Sequence, residues 1–190
     1  ISGVIGNPSI EGIVSQRAFV VERGIVTFDG LHFLNMAEGA ILNKSGEVNV
    51  LGSLFETGHA NYGGAIKNDS GALLIISSSY FFGNTAYKGG AIFNTGRLAV
   101  ESSTFEGNES TAEGGAIYHK GDLVSPPNLA VLNSTFSGNG AGNRSGHFST
   151  LQGGGAISFE NDQIQITHST IVNNSGSGIS AFGSFANTRT

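Results

Sequence analysis

One four-residue phrase returns along this chain at a nearly fixed interval. It reads Gly63-Gly64-Ala65-Ile66, Gly89-Gly90-Ala91-Ile92, Gly114-Gly115-Ala116-Ile117 and Gly154-Gly155-Ala156-Ile157, after a weaker copy at Glu38-Gly39-Ala40-Ile41. Successive starts lie 25, 26, 25 and 40 residues apart. Self-similarity at a period of roughly 20–50 residues marks a solenoid, a propeller or an array, in which each unit covers the next.

Other positions keep the same period. Before each Gly-Gly pair runs an apolar residue followed three positions later by Asn: Phe81 to Asn84, Phe105 to Asn108, Phe136 to Asn139 and Ile171 to Asn174. Phe33 and Phe55 fill the same apolar column earlier, and Ser53, Ser79, Ser103, Ser134 and Ser169 sit two residues ahead of it. After the phrase come Asn43, Asn68 and Asn94, then Gly46, Gly71, Gly96 and Gly121. Alternating apolar pairs follow, read as Val48/Val50, Leu73/Ile75, Leu98/Val100, Leu129/Val131 and Ile164/Ile166.

Inside each repeat the apolar period is two, which is the period of strands; no segment sustains the i, i+3, i+4, i+7 pattern of a helix. Three short strands per repeat, separated by Gly, Asn and Ser, predict an all-β fold. A constant strand order at one interval predicts a coil of three faces, each strand pairing in parallel with its copy about 4.8 Å away. The fold class is therefore a right-handed parallel β-helix of about seven coils of roughly 22–26 residues. In it, Phe81, Phe105 and Phe136 stack inside, Asn84, Asn108 and Asn139 bond their copies at a corner, and Gly89, Gly90, Gly114, Gly115, Gly154 and Gly155 allow tight turns. These are structural roles.

Composition agrees with one narrow-cored domain over residues 1–190. There are 30 Gly, 3 Pro, no Cys, no Trp and 12% charged residues, and the net charge is −5. That charge gives no basis for nucleic-acid binding. No apolar run approaches the ~20 residues of a membrane-spanning helix. Neither end carries a polar cap, so flanking sequence of a longer chain or end-to-end self-association is expected to cover the first and last coils.

Once the columns are laid out, the alternation of Phe-x-x-Asn with Gly-Gly-Ala-Ile resembles the repeats of the chlamydial-type polymorphic outer membrane proteins. Phe81 to Asn84 with Gly89 to Ile92, and Phe105 to Asn108 with Gly114 to Ile117, carry it most clearly. The resemblance covers roughly residues 24–179. It implies an extracellular adhesive or structural role, with a host or matrix surface, protein or glycan, as partner. Departures are Phe55-Glu56-Thr57-Gly58, which lacks the Asn, and Glu38 in place of the first Gly.

The one long interval, from Gly114 to Gly154, holds two insertions, at 124–128 and 140–152. Loops bulging from one face of a solenoid commonly build its binding surface. Near them lie His119, Lys120, Asp122, Arg144, His147, Glu160 and Asp162, which form the expected binding face, with Glu160 and Asp162 sharing strand parity. The same residues support the alternative reading, a carbohydrate-binding or carbohydrate-active β-helix, since glycoside chemistry uses carboxylates on one face. No cofactor or metal is expected, because no His/Cys cluster and no calcium-binding nonapeptide occurs. Of six Asn-x-Ser/Thr sequons, those at Asn43, Asn68 and Asn108 fall on inward columns, and Asn143 is the expected acceptor if the source glycosylates.

Overall fold

The computed structural model describes residues 8–12, 16–121, 128–142 and 153–182. All regular structure among them is strand, and each strand pairs in parallel with its copy one coil away. The strands stack into four sheets rather than three. A phenylalanine sheet of seven strands runs from Ser9–Glu11 to Thr170–Val172. An aliphatic sheet of six runs from Ile25–Asp29 to Ile164–Thr167. An isoleucine sheet of seven runs from Phe19–Val21 to Ile179–Phe182. The fourth is narrow, formed by His59–Tyr62, Thr85–Lys88, Glu109–Glu113 and Gly140–Ala141. It occupies the stretch between Phe-x-x-Asn and Gly-Gly, which is too polar to read as a strand from its pattern. The stack makes about six turns.

Register follows the sequence columns. Ile41, Ile66, Ile92, Ile117, Ile157 and Ile179 are successive partners. Phe33, Phe55, Phe81, Phe105 and Phe136 are fully buried and stack down the interior. On the aliphatic sheet the inward pair of the third coil is Leu74/Ile76, and Leu73 and Ile75 face outward with intermediate exposure. That corrects the parity expected from Gly71. The turn from Asn68 to Ala72 is one residue longer than that from Asn43 to Gly46, and Ala72, not Gly71, takes the rung of Gly46 and Gly96. A one-residue slip exchanges the two faces of a strand.

The inward Asn residues form two hydrogen-bonded ladders. In one, Asn84 Nδ2 donates to Asn108 Oδ1, Asn108 to Asn139 and Asn139 to Asn174, each at 2.9 Å. In the other, Asn43 donates to Asn68 at 2.8 Å and Asn68 to Asn94 at 2.7 Å. Each amide also serves a backbone carbonyl, such as Phe81 O for Asn108, so these buried polar groups are satisfied. Asn43, Asn68 and Asn108 are thus closed to glycans. Asn133 and Asn173 are exposed at positive-φ turns, which adds two accessible sequons to the one expected; Asn143 lies outside the described residues.

At the Gly-Gly corner the coils nearly touch. Gly89 has φ +63°, and a Cβ on Gly90 would overlap the Gly115 carbonyl oxygen. Gly90→Ala is expected to lower stability by about 1–3 kcal/mol, as overpacking does, because the overlapping atom is backbone held in a ladder. Urea titration checks this, and Gly71→Ala, with open space but φ +83°, is the strain-only comparison.

Candidate functional site

The strands flanking the Gly-Gly phrase belong to the narrow and isoleucine sheets, and their outward faces meet at a re-entrant corner. Tyr62, Lys88 and Glu113, each just before a Gly-Gly or Gly pair, are stacked partners on one side. Lys67, Phe93, Tyr118 and Ser158, each just after the phrase, are partners on the other. The two columns touch: the Tyr62 and Phe93 rings lie 4.9 Å apart, and Phe93 stacks on Tyr118 at 5.2 Å.

A polar chain crosses this corner. Glu113 Oε2 pairs with Lys88 Nζ at 2.8 Å, and Lys88 Nζ sits 4.5 Å from the centre of the Tyr118 ring. The Tyr118 hydroxyl donates to Glu160 Oε2 at 2.7 Å, and Lys120 Nζ pairs with Glu160 Oε1 at 3.2 Å. The Tyr118 hydrogen bond, followed by that of Lys120, outweighs burial and holds the Glu160 carboxyl below the usual carboxylate range. Burial, then the hydrogen bond to Glu160, pushes the Tyr118 phenol well up. Glu160 therefore stays ionised and Tyr118 protonated at neutral pH.

Of the expected binding face, Lys120 and Glu160 are outside and paired with each other. Asp122, Arg144 and His147 lie outside the described residues. His119 and Asp162 do not belong to the surface at all, which corrects the expectation: the His119 side chain is 0% exposed and that of Asp162 1%. His119 takes the rung of Asn94 in the inward ladder. Glu160 and Asp162 do not share a side, because Asn161 has φ 53° and turns the chain between them.

His119 extends the Asn ladder. Asn94 Nδ2 donates to His119 Nδ1 at 2.7 Å, so the other ring nitrogen carries the hydrogen and Nε2 donates to Asp162 Oδ2 at 2.6 Å. Burial pushes the Asp162 carboxyl up, but the His119 ring, the Gln163 backbone N–H and the Asn128 side chain together bring it below its ordinary value. Asp162 packs against Gly121, where any Cβ would overlap its carboxyl group. The imidazole, with a nitrogen on each side of the ring, links the Asn94 amide to the Asp162 carboxylate.

Tyr62, Lys88, Phe93, Glu113 and Tyr118 share no residue type that marks a site in the sequence, and only the stacking of their coils brings them together. What they share is position, since each brackets a copy of the phrase. Among the described residues, no three of His, Cys, Asp or Glu converge to hold a metal ion, and no helix is long and apolar enough to cross a membrane.

Comparison with family models matches residues 15–190 to the right-handed beta helix region. The chain belongs to the right-handed β-helix family. That match gives the coil its hand, which is also the hand parallel crossovers prefer. Comparison with curated proteins and with solved structures gives no match.

Proposed function

We propose that this β-helix is a non-catalytic, extracellular adhesive domain that holds a host or matrix surface, at the level of its two insertions. The observation that carries the reading is the state of the corner carboxylates. Glu113 is paired with Lys88, and Glu160 is held by Tyr118 and Lys120 and kept ionised. A glycosidic general acid needs the opposite, a carboxyl with a raised pKa. The aromatic and ionic groups meet there in a dense, partly exposed patch, the type of surface that recognition uses. The resemblance of the Phe-x-x-Asn and Gly-Gly-Ala-Ile repeats to those of the chlamydial-type polymorphic outer membrane proteins supports the adhesive and extracellular assignment.

The test is retention of the purified chain on surfaces coated with matrix proteins or cell-surface glycans, alongside assay of the same polysaccharides for new reducing or unsaturated ends. Retention without new ends is the expected result. Cleavage of any of them overturns the non-catalytic reading.

A further inference from the structure

The outward face of the phenylalanine sheet is acidic and aromatic. Leu34, Glu56, Phe82 and Glu106 are successive partners in one outward column, so a carboxylate stands one rung to either side of the Phe82 ring. Phe82 is 38% exposed. Tyr80, two residues earlier on the same strand, shares its side, and the two rings lie 5.9 Å apart at 35°, a single aromatic platform between Glu56 and Glu106. Each carboxylate is oriented through one of its oxygens: His32 Nε2 lies 3.0 Å from Glu56 Oε2, and the Tyr80 hydroxyl donates to Glu106 Oε2. Burial, then the hydrogen bond to Glu106, pushes the Tyr80 phenol up to about 12, so it stays a donor at neutral pH. None of the seven strands of this sheet carries a Lys or Arg.

We infer that this face docks a proline-rich segment of a partner protein that carries arginines three residues apart. The inference goes beyond the adhesive reading and does not rest on it, because the face is separate from the Gly-Gly corner. Charge names the cation. Two oriented carboxylates on a sheet without Lys or Arg are complementary to a basic partner. Arginine suits them better than lysine, since its planar fork meets a carboxylate with two parallel hydrogen bonds and its flat side stacks on a neighbouring ring. The aromatic platform names the rest of the segment. Proline-rich chains in the polyproline II conformation dock on surfaces lined by aromatic rings, and their preformed backbone loses little entropy in doing so.

Spacing selects the conformation. Glu56 and Glu106 are two rungs apart, which is about 9.6 Å at the ladder spacing of about 4.8 Å. A polyproline II chain has three residues per turn and rises about 3.1 Å per residue, so every third side chain returns to one side after about 9.3 Å. A β-strand returns to one side every two residues, at about 6.8 Å and then about 13.6 Å, and straddles the interval. A polyproline II segment laid along the column therefore sets one arginine on Glu56 and the next on Glu106, with the prolines between them over Phe82 and Tyr80.

The test is fluorescence anisotropy of a labelled peptide of Arg-Pro-Pro triplets titrated with the whole chain. Beside it run a Lys-Pro-Pro peptide, a Glu-Pro-Pro peptide and one of the same composition with its arginines contiguous. The Arg-Pro-Pro peptide should bind, and less tightly in about 0.5 M salt. The lysine and contiguous-arginine peptides should bind severalfold more weakly, and the glutamate peptide not at all. Glu56→Gln combined with Glu106→Gln should weaken binding about tenfold, and Phe82→Ala about fivefold. Unchanged melting excludes a folding effect; if Phe82→Ala melts early, Phe82→Leu makes the same comparison with the apolar volume kept. No binding of the Arg-Pro-Pro peptide, binding indifferent to the paired Gln replacements or to loss of the Phe82 ring, or equal binding of the contiguous-arginine peptide overturns the proposal. Such a failure leaves the adhesive reading standing, since surface retention tests that separately.

Discussion

Phe105→Ala is expected to destabilise the chain by about 3–5 kcal/mol, the upper range for a buried aromatic truncated in a core that cannot collapse. Phe105 is 0% exposed. Its ring lies 4.6 Å from Phe81 and 4.7 Å from Phe136, within 3° of parallel to each. Those neighbours cannot close the gap, because ladder hydrogen bonds set the coil spacing at about 4.8 Å. Coils in a solenoid draw stability from their neighbours, so a defect at this middle position weakens two interfaces. Phe93→Ala serves as the comparison. Phe93 faces outward, half-covered by Tyr62 and Tyr118, and its loss should cost on the order of 1 kcal/mol, that of a surface aromatic contact. Urea titrations of the two variants give the difference, and equal losses would refute the interior stack.

The second large effect belongs to His119. Replacing it by Leu takes the imidazole donor from the buried Asp162 carboxylate and leaves one Asn94 amide N–H without its acceptor, and the expected cost is about 3–5 kcal/mol, as for breaking a buried pair by removing one partner. Asp162→Asn should cost less, since an amide oxygen still accepts from His119 Nε2. The pH dependence has a definite sign. The Asp162 carboxyl is lowered in the folded chain, so in acid the unfolded chain binds its proton first, and stability rises with pH through that window. The contribution is complete above the ordinary Asp value of about 3.9 and is lost as pH falls through the lowered one. Acid titrations below about pH 4 should therefore show a weaker pH dependence for Asp162→Asn than for the parent chain; identical slopes would remove Asp162 from the account.

Much of the architecture was legible in the sequence because a solenoid places each residue over its own copy. The Phe column, the Asn-84 and Asn-43 ladders and the Ile register all follow from a period that any reader can count. The period conceals a local change in one repeat. The longer turn after Asn68 moved the inward pair to Leu74/Ile76, and nothing but backbone pairing decides which residue absorbs an extra step. The narrow sheet escaped notice because His59, Thr85 and Glu109 have no common chemistry; their backbones pair because the neighbouring strands bring them to ladder spacing.

The candidate site divides in the same way. Its location at the level of the insertions, and the presence of Lys120 and Glu160 there, came from the sequence. His119 in the phrase Ala-Ile-x-His stands where other repeats have Ala-Ile-x-Asn, so its inward position could have been read from the column it occupies. Asp162 could not, since its direction depends on the positive φ of Asn161. The sequence by itself determined that the chain winds into parallel β coils, because a 25-residue period of apolar pairs, Asn and Gly can be buried in no simpler way. The tertiary structure alone decided which outward residues meet: Lys88, Tyr118 and Glu160 come from three different coils and two sheets, and only the re-entrant bend at the Gly-Gly corner, where backbone packs on backbone with no room for a Cβ, brings their side chains within bonding distance.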